Sequence, residues 1–186
     1  MILSRRSLRE MNSLNVKDEE LAALFEAARW APSHFNLQPW RFVFAKRDSP
    51  KWEEFLDSLD PGNRKWAKNA GVLVVALSNK FQIRKGRKEL IPSHSFDTGA
   101  ASYAMALEGT ARGLVVHPMG GYDKQKAIKM IGLDRMNNGQ DYQIEAIIAI
   151  GNRPDISSRN EEKVSQRHDM NKFVFDGELE EKINVQ

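Results

Sequence analysis

The chain has 186 residues, 41% of them hydrophobic, which suits one compact domain better than two domains short of apolar surface. Its 28 basic and 25 acidic residues give a net charge of +3 and are mixed along the sequence. This pattern argues against nucleic-acid binding, which needs a basic stripe or a reader motif. The absence of cysteine excludes disulfides, thiolate zinc sites and thiol redox chemistry, so any redox reaction must use a bound cofactor.

The beginning of the chain carries no targeting signal that we can identify. MILSRRSLRE lacks the apolar stretch of a signal peptide, and no window approaches the roughly 20 apolar residues of a membrane span. Glu10 and Asp18 follow the first arginines too closely for an acid-poor transit peptide. We therefore expect a cytoplasmic protein that has no membrane partner.

The first part of the chain predicts two helices separated by a strand. Apolar residues at helical spacing behind an acidic first turn predict a helix at about 18–30, which Pro32 ends. A run of aromatic and β-branched residues predicts a strand at 40–45. A short amphipathic helix is expected at 52–59, and the turn sequence DPGN at 60–63 should stop it.

The middle of the chain alternates apolar runs with helical patterns. A continuous apolar run at 72–77 predicts a buried central strand, and two further strands are predicted at 114–119 and 143–151. Residues 78–96 are polar and basic and contain a proline, which indicates an excursion or a lid. Helices are predicted at 97–112 and 123–132, each closed by a glycine.

Together these elements predict a single α+β domain over residues 1–186, with a mixed central sheet flanked by helices. A C-terminal tail follows at 152–186. Its apolar FVF at 173–175 is expected to pack on another surface, such as that of a partner subunit.

Several common site motifs are missing from the sequence. GxGxxG, GxxxxGK[ST] and GxSxG do not occur, so the dinucleotide fingerprint, the phosphate loop and the hydrolase elbow are absent. The four histidines lie far apart, and no HExxH-like pair brings two ligands onto one helical face. We expect no metal site.

Three other segments have a composition suited to binding: SRRSLR at 4–9, APSHFNLQPW at 31–40 and HPMGGYD at 117–123. Taken singly, they could be a solvated basic arm, a loop that ends a helix and a simple turn. The middle segment, however, combines two prolines with several side-chain donors and acceptors, as ligand-binding loops often do. The adjacent glycines of the third would let backbone N–H groups approach a flat ligand.

Read in order, these motifs resemble those of the nitroreductase family of flavoproteins over nearly the whole chain. The resemblance rests on RRSxR, APSxxNxQPW, GNxxWAxxA at 62–70, the DTGAA helix start and PMGGYD. It implies an α+β fold that forms an intertwined homodimer, with FMN bound at the interface between the subunits.

The resemblance also implies which residues bind the cofactor. Guanidinium groups can donate paired hydrogen bonds to phosphate oxygens. The resemblance places three of them at the FMN phosphate, those of Arg5, Arg9 and, in the tail, Arg167. Arg6 and Ser7 would bind the phosphate, the ribityl chain or the flavin edge. Amide groups suited to the pyrimidine edge belong to Gln38 and Asn63.

The other two groups of implied ligands come from the loop and from the glycine turn. The partner subunit would contribute Ser33, His34 and Asn36. The residues lying against the flavin near its reactive N5 would be Met119, Gly120 and Gly121.

The implied reaction is a hydride transfer from NAD(P)H through flavin N5 to a nitroaromatic, quinone or similar acceptor, with ping-pong kinetics. No obligatory protein acid, base or nucleophile is implied, because the flavin carries the chemistry. Two alternatives stay open. The protein could be a specialised flavoenzyme of the same fold, such as a dehalogenase, an azoline dehydrogenase or a flavin-cleaving enzyme, or a non-catalytic anion-binding module.

The chain also departs from the family pattern. Trp66 stands where some members place a lysine beside the pyrimidine edge, so a cation that stabilises reduced flavin is missing. The tail reads RHDMN where many members have R[KR]PL, and the segment 78–96 matches nothing in the pattern.

Overall fold

The computed structural model of the chain describes residues 2–154 and 164–179. Residues 2–154 lie within one compact unit and 164–179 within a second. The elements of the first are α1 (Asp18–Arg29), β1 (Trp40–Lys46), α2 (Trp52–Asp57), α3 (Pro61–Ala67), β2 (Val72–Asn79), β3 (Phe81–Arg84), β4 (Arg87–Leu90), α4 (His94–Ala111), β5 (Leu114–Met119), α5 (Lys124–Met130) and β6 (Tyr142–Asn152).

Four of the strands form a central sheet in the order β1-β2-β6-β5. Neighbouring strands in this order are antiparallel, with Val75 opposite both Val43 and Ile147. The predicted α+β class is confirmed. Among the described residues, however, this sheet is antiparallel and not mixed, because a mixed sheet requires at least one parallel pair of strands and all its pairs here are antiparallel.

Helices cover both faces of the sheet, which explains why β2 is a continuous apolar run. On one face, α1 and α4 pack over Val72 and Val74. On the other, α2, α3 and α5 pack over Leu73 and Val75. We call these the α1/α4 face and the α3/α5 face. Successive side chains of a strand point to opposite faces, so both cores draw on the same strands.

The close approach of α4 to the sheet depends on its small residues. A Cβ at Gly109 would lie 2.4 Å from Cγ2 of Val116 on β5, so a larger side chain here would push the helix outward. Gly113 then ends this segment with a φ of 76°, in the left-handed region that glycine adopts without strain.

Most predicted elements are confirmed, but two boundaries were wrong. Residues 60–63 do not form a stop for α2; they begin α3, with Pro61 in the first turn of that helix. Proline fits this position because it has no N–H to leave unpaired and its φ already suits a helix. In addition, α4 begins at His94, three residues before the predicted start.

The segment 78–96 is mostly a β-hairpin. β3 pairs with β4 in antiparallel register, from Phe81 opposite Leu90 to Arg84 opposite Arg87. The turn residue Lys85 and the following Gly86 have positive φ, as a tight turn with primed geometry requires. Residues at the two ends of the predicted segment belong to β2 and to α4.

The second unit contains a short 3-10 turn at Met170–Lys172. Phe173 and Val174 of the FVF segment are exposed, and their expected contact with another surface stays a prediction. The remainder of the predicted tail, at 155–163 and 180–186, lies outside the described residues. Within the described ranges, no helix has the length and apolarity to cross a membrane.

Candidate functional site

The N-terminal segment 4–9 lies against the edge of the sheet near β5. Nη1 of Arg5 donates a 3.0 Å hydrogen bond to Oγ of Ser7, and Nη1 of Arg6 donates to the backbone oxygens of Leu3 and Arg5. Leu8 packs against the α3/α5 face. We call residues 4–9 the arm. Its hydrophobic contact holds several guanidinium groups close to one side of the sheet.

His117 on β5 joins the arm to the sheet. Its Nδ1 lies 2.8 Å from the carbonyl oxygen of Leu8. A carbonyl oxygen only accepts, so Nδ1 carries the proton. The imidazole packs on Trp66 of α3, with ring centroids 4.6 Å apart and the ring planes tilted by 36°. Partial burial lowers the pKa of His117 below its ordinary value, and the charges of Arg9 and Arg5 lower it further.

Two buried donors in this region have no hydrogen-bond partner among the residues that the structure describes: Nε of Arg6 and Nε1 of Trp66. Buried polar atoms are normally paired, since an unpaired donor costs about 1–3 kcal/mol. Unpaired donors in a region that also holds the charges of Arg5 and Arg9 fit a ligand that is anionic and rich in acceptors.

Asn63 and the glycine turn meet at a second point on the same face. Nδ2 of Asn63 donates a 2.9 Å hydrogen bond to the carbonyl oxygen of Gly121. The backbone N–H of Asp60 donates to the same oxygen at 3.2 Å. A Cβ at Gly121 would lie 2.8 Å from both Nδ2 of Asn63 and Oδ2 of Asp60. The structure therefore brings together two site residues that are 58 positions apart in sequence.

The neighbouring residues Met119 and Gly120 differ in exposure. Met119 is 3% exposed and its side chain belongs to the core on the α3/α5 face. Only the backbone of Met119 is therefore available to a ligand, which narrows the role predicted for this residue. Gly120 is exposed, and nothing lies within 4 Å of a Cβ built on it.

The loop 31–40 has an unusual backbone. Phe35, Asn36 and Gln38 have φ values of 47°, 57° and 48°, in the left-handed region that only glycine adopts freely. Oγ of Ser33 accepts a 3.0 Å hydrogen bond from the Gln38 N–H, and Asp97 of α4 accepts one of 3.1 Å from the His34 N–H. Strained backbone persists only where surrounding contacts hold it, and strained residues cluster at ligand sites.

Side chains of the loop also contact one another and the hairpin. Nε2 of Gln38 donates to the backbone oxygen of Asn36 at 3.0 Å and to its Oδ1 at 3.1 Å. The guanidinium carbon of Arg84 lies 5.9 Å from the ring centroid of Phe35. The hairpin therefore reaches the loop rather than the arm.

The arm and the loop lie on opposite faces of the sheet within one chain. Leu8 and Trp66 belong to the α3/α5 face, whereas Ala31 and Trp40, at the two ends of the loop, belong to the α1/α4 face. The predicted site residues thus form two separate groups. Arg5, Arg6, Ser7, Arg9, Asn63, Gly120 and Gly121 lie on one side, and Ser33, His34, Asn36 and Gln38 lie on the other.

Arg167 lies in the second unit, where its Nη1 donates to the backbone oxygens of Ser165 and Gln166 at 3.0 and 3.2 Å. Its predicted contact with a phosphate stays a prediction.

Two residues that hold the site together were not predicted from the sequence. His117 lies in a strand pattern, where one histidine among four gave no signal. Asp97 is buried at 4% exposure and accepts hydrogen bonds from the His34 N–H and, at 2.9 Å, from Oγ of Ser93. The aspartate at the start of DTGAA was the available signal. A carboxylate buried in a helix start needs hydrogen-bond partners, because burying its charge without them is costly.

A cavity of about 420 Å³ lies elsewhere, between α5 and the start of β6, and Lys80, Lys124 and Gln143 are among its lining residues. None of the predicted site residues lines it. In residues 2–154 and 164–179, no cluster of three or more histidine, aspartate or glutamate side chains is arranged to hold a metal ion.

Comparisons with known proteins agree with this architecture. The model of the Nitroreductase family matches residues 2–59. A candidate NAD(P)H nitroreductase of Bacillus subtilis (strain 168) is 28% identical, and the match covers 70% of this chain and 78% of that protein. The crystal structure of an oxidoreductase containing FMN is 36% identical with a TM-score of 0.86, covering 97% of this chain and 92% of the other.

A more distant structure shares the fold. A candidate nitroreductase in complex with FMN from Desulfovibrio desulfuricans has a TM-score of 0.74 at 22% identity, covering 96% of this chain and 95% of its own. The chain belongs to the nitroreductase family.

Proposed function

We propose that this protein is an FMN-dependent NAD(P)H oxidoreductase that acts as a homodimer on nitroaromatic, quinone or similar acceptors. Each pocket would combine the arm of one subunit with the loop of its partner. The observation that carries the proposal is the arm itself. It places the charges of Arg5 and Arg9 beside His117, and Nε of Arg6 is buried with no hydrogen-bond partner among the described residues. The similarity to an oxidoreductase containing FMN over 97% of the chain supports it.

The residues present fit the chemistry of FMN. Arg5 and Arg9 would bind the phosphate, because charge-assisted hydrogen bonds from guanidinium to phosphate are among the strongest in proteins. The orphaned Nε of Arg6 would donate to a phosphate or ribityl oxygen. Asn63 uses Nδ2 on Gly121, so its side-chain oxygen is the group that would accept from a flavin N–H.

A dimer would complete the pocket, since the arm and the loop lie on opposite faces of one sheet. The exposed side of α4 supports this arrangement. Phe96 is 81% exposed and Tyr103 44% exposed, and residues seven apart lie on the same side of a helix. Burial of these rings against a second copy would remove apolar surface from water at about 25 cal/mol per Å².

Bound FMN would accept a hydride from NAD(P)H and pass the reducing equivalents to the acceptor. The protein would bind and orient it: the arm holds the phosphate, Gly120 leaves room for a flat ring against the backbone, and the loop covers the pocket. No side chain of this chain is assigned a proton-transfer role. Trp66 contributes an uncharged ring to this region, so the positive charge at the proposed cofactor site comes from the guanidinium groups of the arm.

The test is the absorbance spectrum of the purified protein after FMN is added and free flavin is removed. Retention of the flavin absorbance and its anaerobic bleaching by NADH or NADPH are expected. A protein that retains no flavin would overturn the proposal. Size-exclusion chromatography with light scattering should give twice the 21.2 kDa chain mass.

An acceptor panel separates the general activity from a specialised one. Nitroaromatics and quinones should be reduced much faster by the FMN-loaded protein than by free FMN at the same concentration. Rates no better than free FMN, with normal flavin reduction, would point to a specialised flavoenzyme instead. Salt-dependent binding to an anionic polymer that FMN does not change would point to a non-catalytic module.

A further inference from the structure

His117 occupies a position that the cofactor site described above does not explain. It extends from β5 on the same face as Trp66, and its Nδ1–H donates to Leu8, the residue between Arg5 and Arg9 in the arm. This hydrogen bond and the tilted packing on Trp66 hold the ring in one orientation. The other ring nitrogen, Nε2, then carries no proton in the neutral imidazole.

Among the described residues, the charged groups that act on His117 belong to the arm and are positive. Arg9 and Arg5 act on it electrostatically. The helix packed against it presents the uncharged ring of Trp66, and β6 presents Ala149 opposite it in the sheet. Without a ligand, a proton on Nε2 would therefore add a cation to a half-buried site that already holds two.

We propose that His117 is a positioning residue for the cofactor phosphate: it holds the arm through Leu8, and it takes up a proton when a phosphate dianion binds between Arg5 and Arg9. The proposal rests on the proposed function. The bound phosphate neutralises the two arginines, so the field that opposes protonation of Nε2 is removed. FMN affinity then rises as the pH falls, in addition to any effect of the phosphate's own titration.

The sign follows from linkage. Binding raises the affinity of His117 for a proton, so the complex holds more protons than the free components over the interval between the two pKa values of His117. The pKa of His117 in the free protein lies below the ordinary 6.5, and the proposed binding of the phosphate would raise it. Affinity for FMN is lowest well above this interval and reaches a plateau below it.

The experiment compares the wild type with His117→Asn. The side-chain nitrogen of asparagine lies at the same bond distance from the main chain as Nδ1, so the variant keeps a donor for Leu8 and loses Nε2. FMN binding is measured by calorimetry at pH 8.0, 7.0 and 6.0, in two buffers of different ionisation enthalpy that report proton uptake. Riboflavin, which lacks the phosphate, is titrated in parallel.

The expected result is similar FMN affinity for the two proteins at pH 8.0, within about threefold, and an advantage of about fivefold or more for the wild type at pH 6.0. Proton uptake by the wild type should exceed that of the variant with FMN but not with riboflavin. Equal pH slopes for both proteins with FMN would overturn the proposal and leave the proposed function intact. A wild type that binds no FMN at any pH would overturn the proposed function first.

A second variant guards against a folding defect. The glutamine of His117→Gln places its amide nitrogen near the position of Nε2 but does not titrate. If His117→Asn proves unstable, His117→Gln can replace it and should show the same flat pH dependence of FMN affinity. A Gln variant that retains the wild-type slope would also contradict the proposal.

Discussion

The side chain of Asn63 and the carbonyl oxygen of Gly121 are joined by a 2.9 Å hydrogen bond, which ties the first turn of α3 to the glycine turn after β5. The Cα of Gly121 approaches this side chain so closely that a methyl group cannot be added without displacing it. The amide thus has a structural role in addition to the proposed cofactor contact.

We predict that Gly121→Ala lowers the free energy of unfolding by about 1–2 kcal/mol, because the added Cβ displaces Nδ2 of Asn63 and Oδ2 of Asp60 and breaks the hydrogen bond. Chemical denaturation of the flavin-free protein measures this change. Gly120→Ala is the matched control and should change the stability by less than about 0.5 kcal/mol, since its Cβ meets nothing within 4 Å. Equal effects of the two substitutions would contradict this interpretation.

Asp97 is predicted to stabilise the loop. Asp97→Ala leaves the His34 N–H and the Ser93 hydroxyl without an acceptor, and should cost about 2–4 kcal/mol. The substitution should also speed hydrogen exchange at the His34 amide more than at the amides of β2. Asp134→Ala removes an exposed carboxylate 4.0 Å from Arg135 and should cost under about 0.5 kcal/mol. Unchanged exchange at His34 would refute this role of Asp97.

The arm is predicted to dominate FMN affinity. Arg5→Ala combined with Arg9→Ala should weaken binding at least about 100-fold, since each charge-assisted hydrogen bond contributes about 1.5–3 kcal/mol. Arg84→Ala combined with Arg87→Ala removes the same charge from the hairpin and should change affinity by less than about threefold. Fluorescence titration of FMN measures both. Equal losses would mean that the phosphate site is misplaced.

The stability of the flavin-free protein should depend on pH through His117. Its pKa in the folded state lies below the 6.5 of an ordinary histidine, mainly because of burial. The unfolded chain therefore binds the proton more readily, and stability is retained above pH 6.5 and lost as the pH falls below it. His117→Asn should flatten the pH dependence of Tm between 5.0 and 7.0. An unchanged slope would show that other groups cause it.

The sequence predicted the layers of the fold better than the details of the site. A continuous apolar run identified β2 because a strand covered on both faces is apolar on both sides, and shorter apolar stretches identified β5 and β6. The DPGN sequence was misinterpreted because Asp60 and Pro61 suit both a turn and the start of a helix, and local chemistry does not distinguish the two. The early start of α4 was missed for a related reason: Ser93, which precedes the helix, makes no capping hydrogen bond of the kind that a sequence pattern predicts.

The site residues were identified as members of ordered motifs, but the contacts that hold them in place were not predicted. Alternation along β5 would place His117 and Val116 on opposite faces, but only the fold shows that the arm packs beside His117 through Leu8. Likewise, Asp97 and His34 are 63 positions apart, and no pattern in the sequence links a buried carboxylate to a particular backbone N–H.

Because the arm and the loop lie on opposite faces, two inactive variants of the protein could restore activity to each other in a mixed dimer. In the proposed dimer, an arm variant (Arg5→Ala with Arg9→Ala) and a loop variant (Ser33→Ala with Asn36→Ala) each damage both pockets. A mixed dimer concentrates the damage in one pocket and leaves the other with a native arm and a native loop. Co-refolding equal amounts should therefore restore about a quarter of the wild-type sites by random pairing, and no recovery would show that one chain supplies its whole pocket.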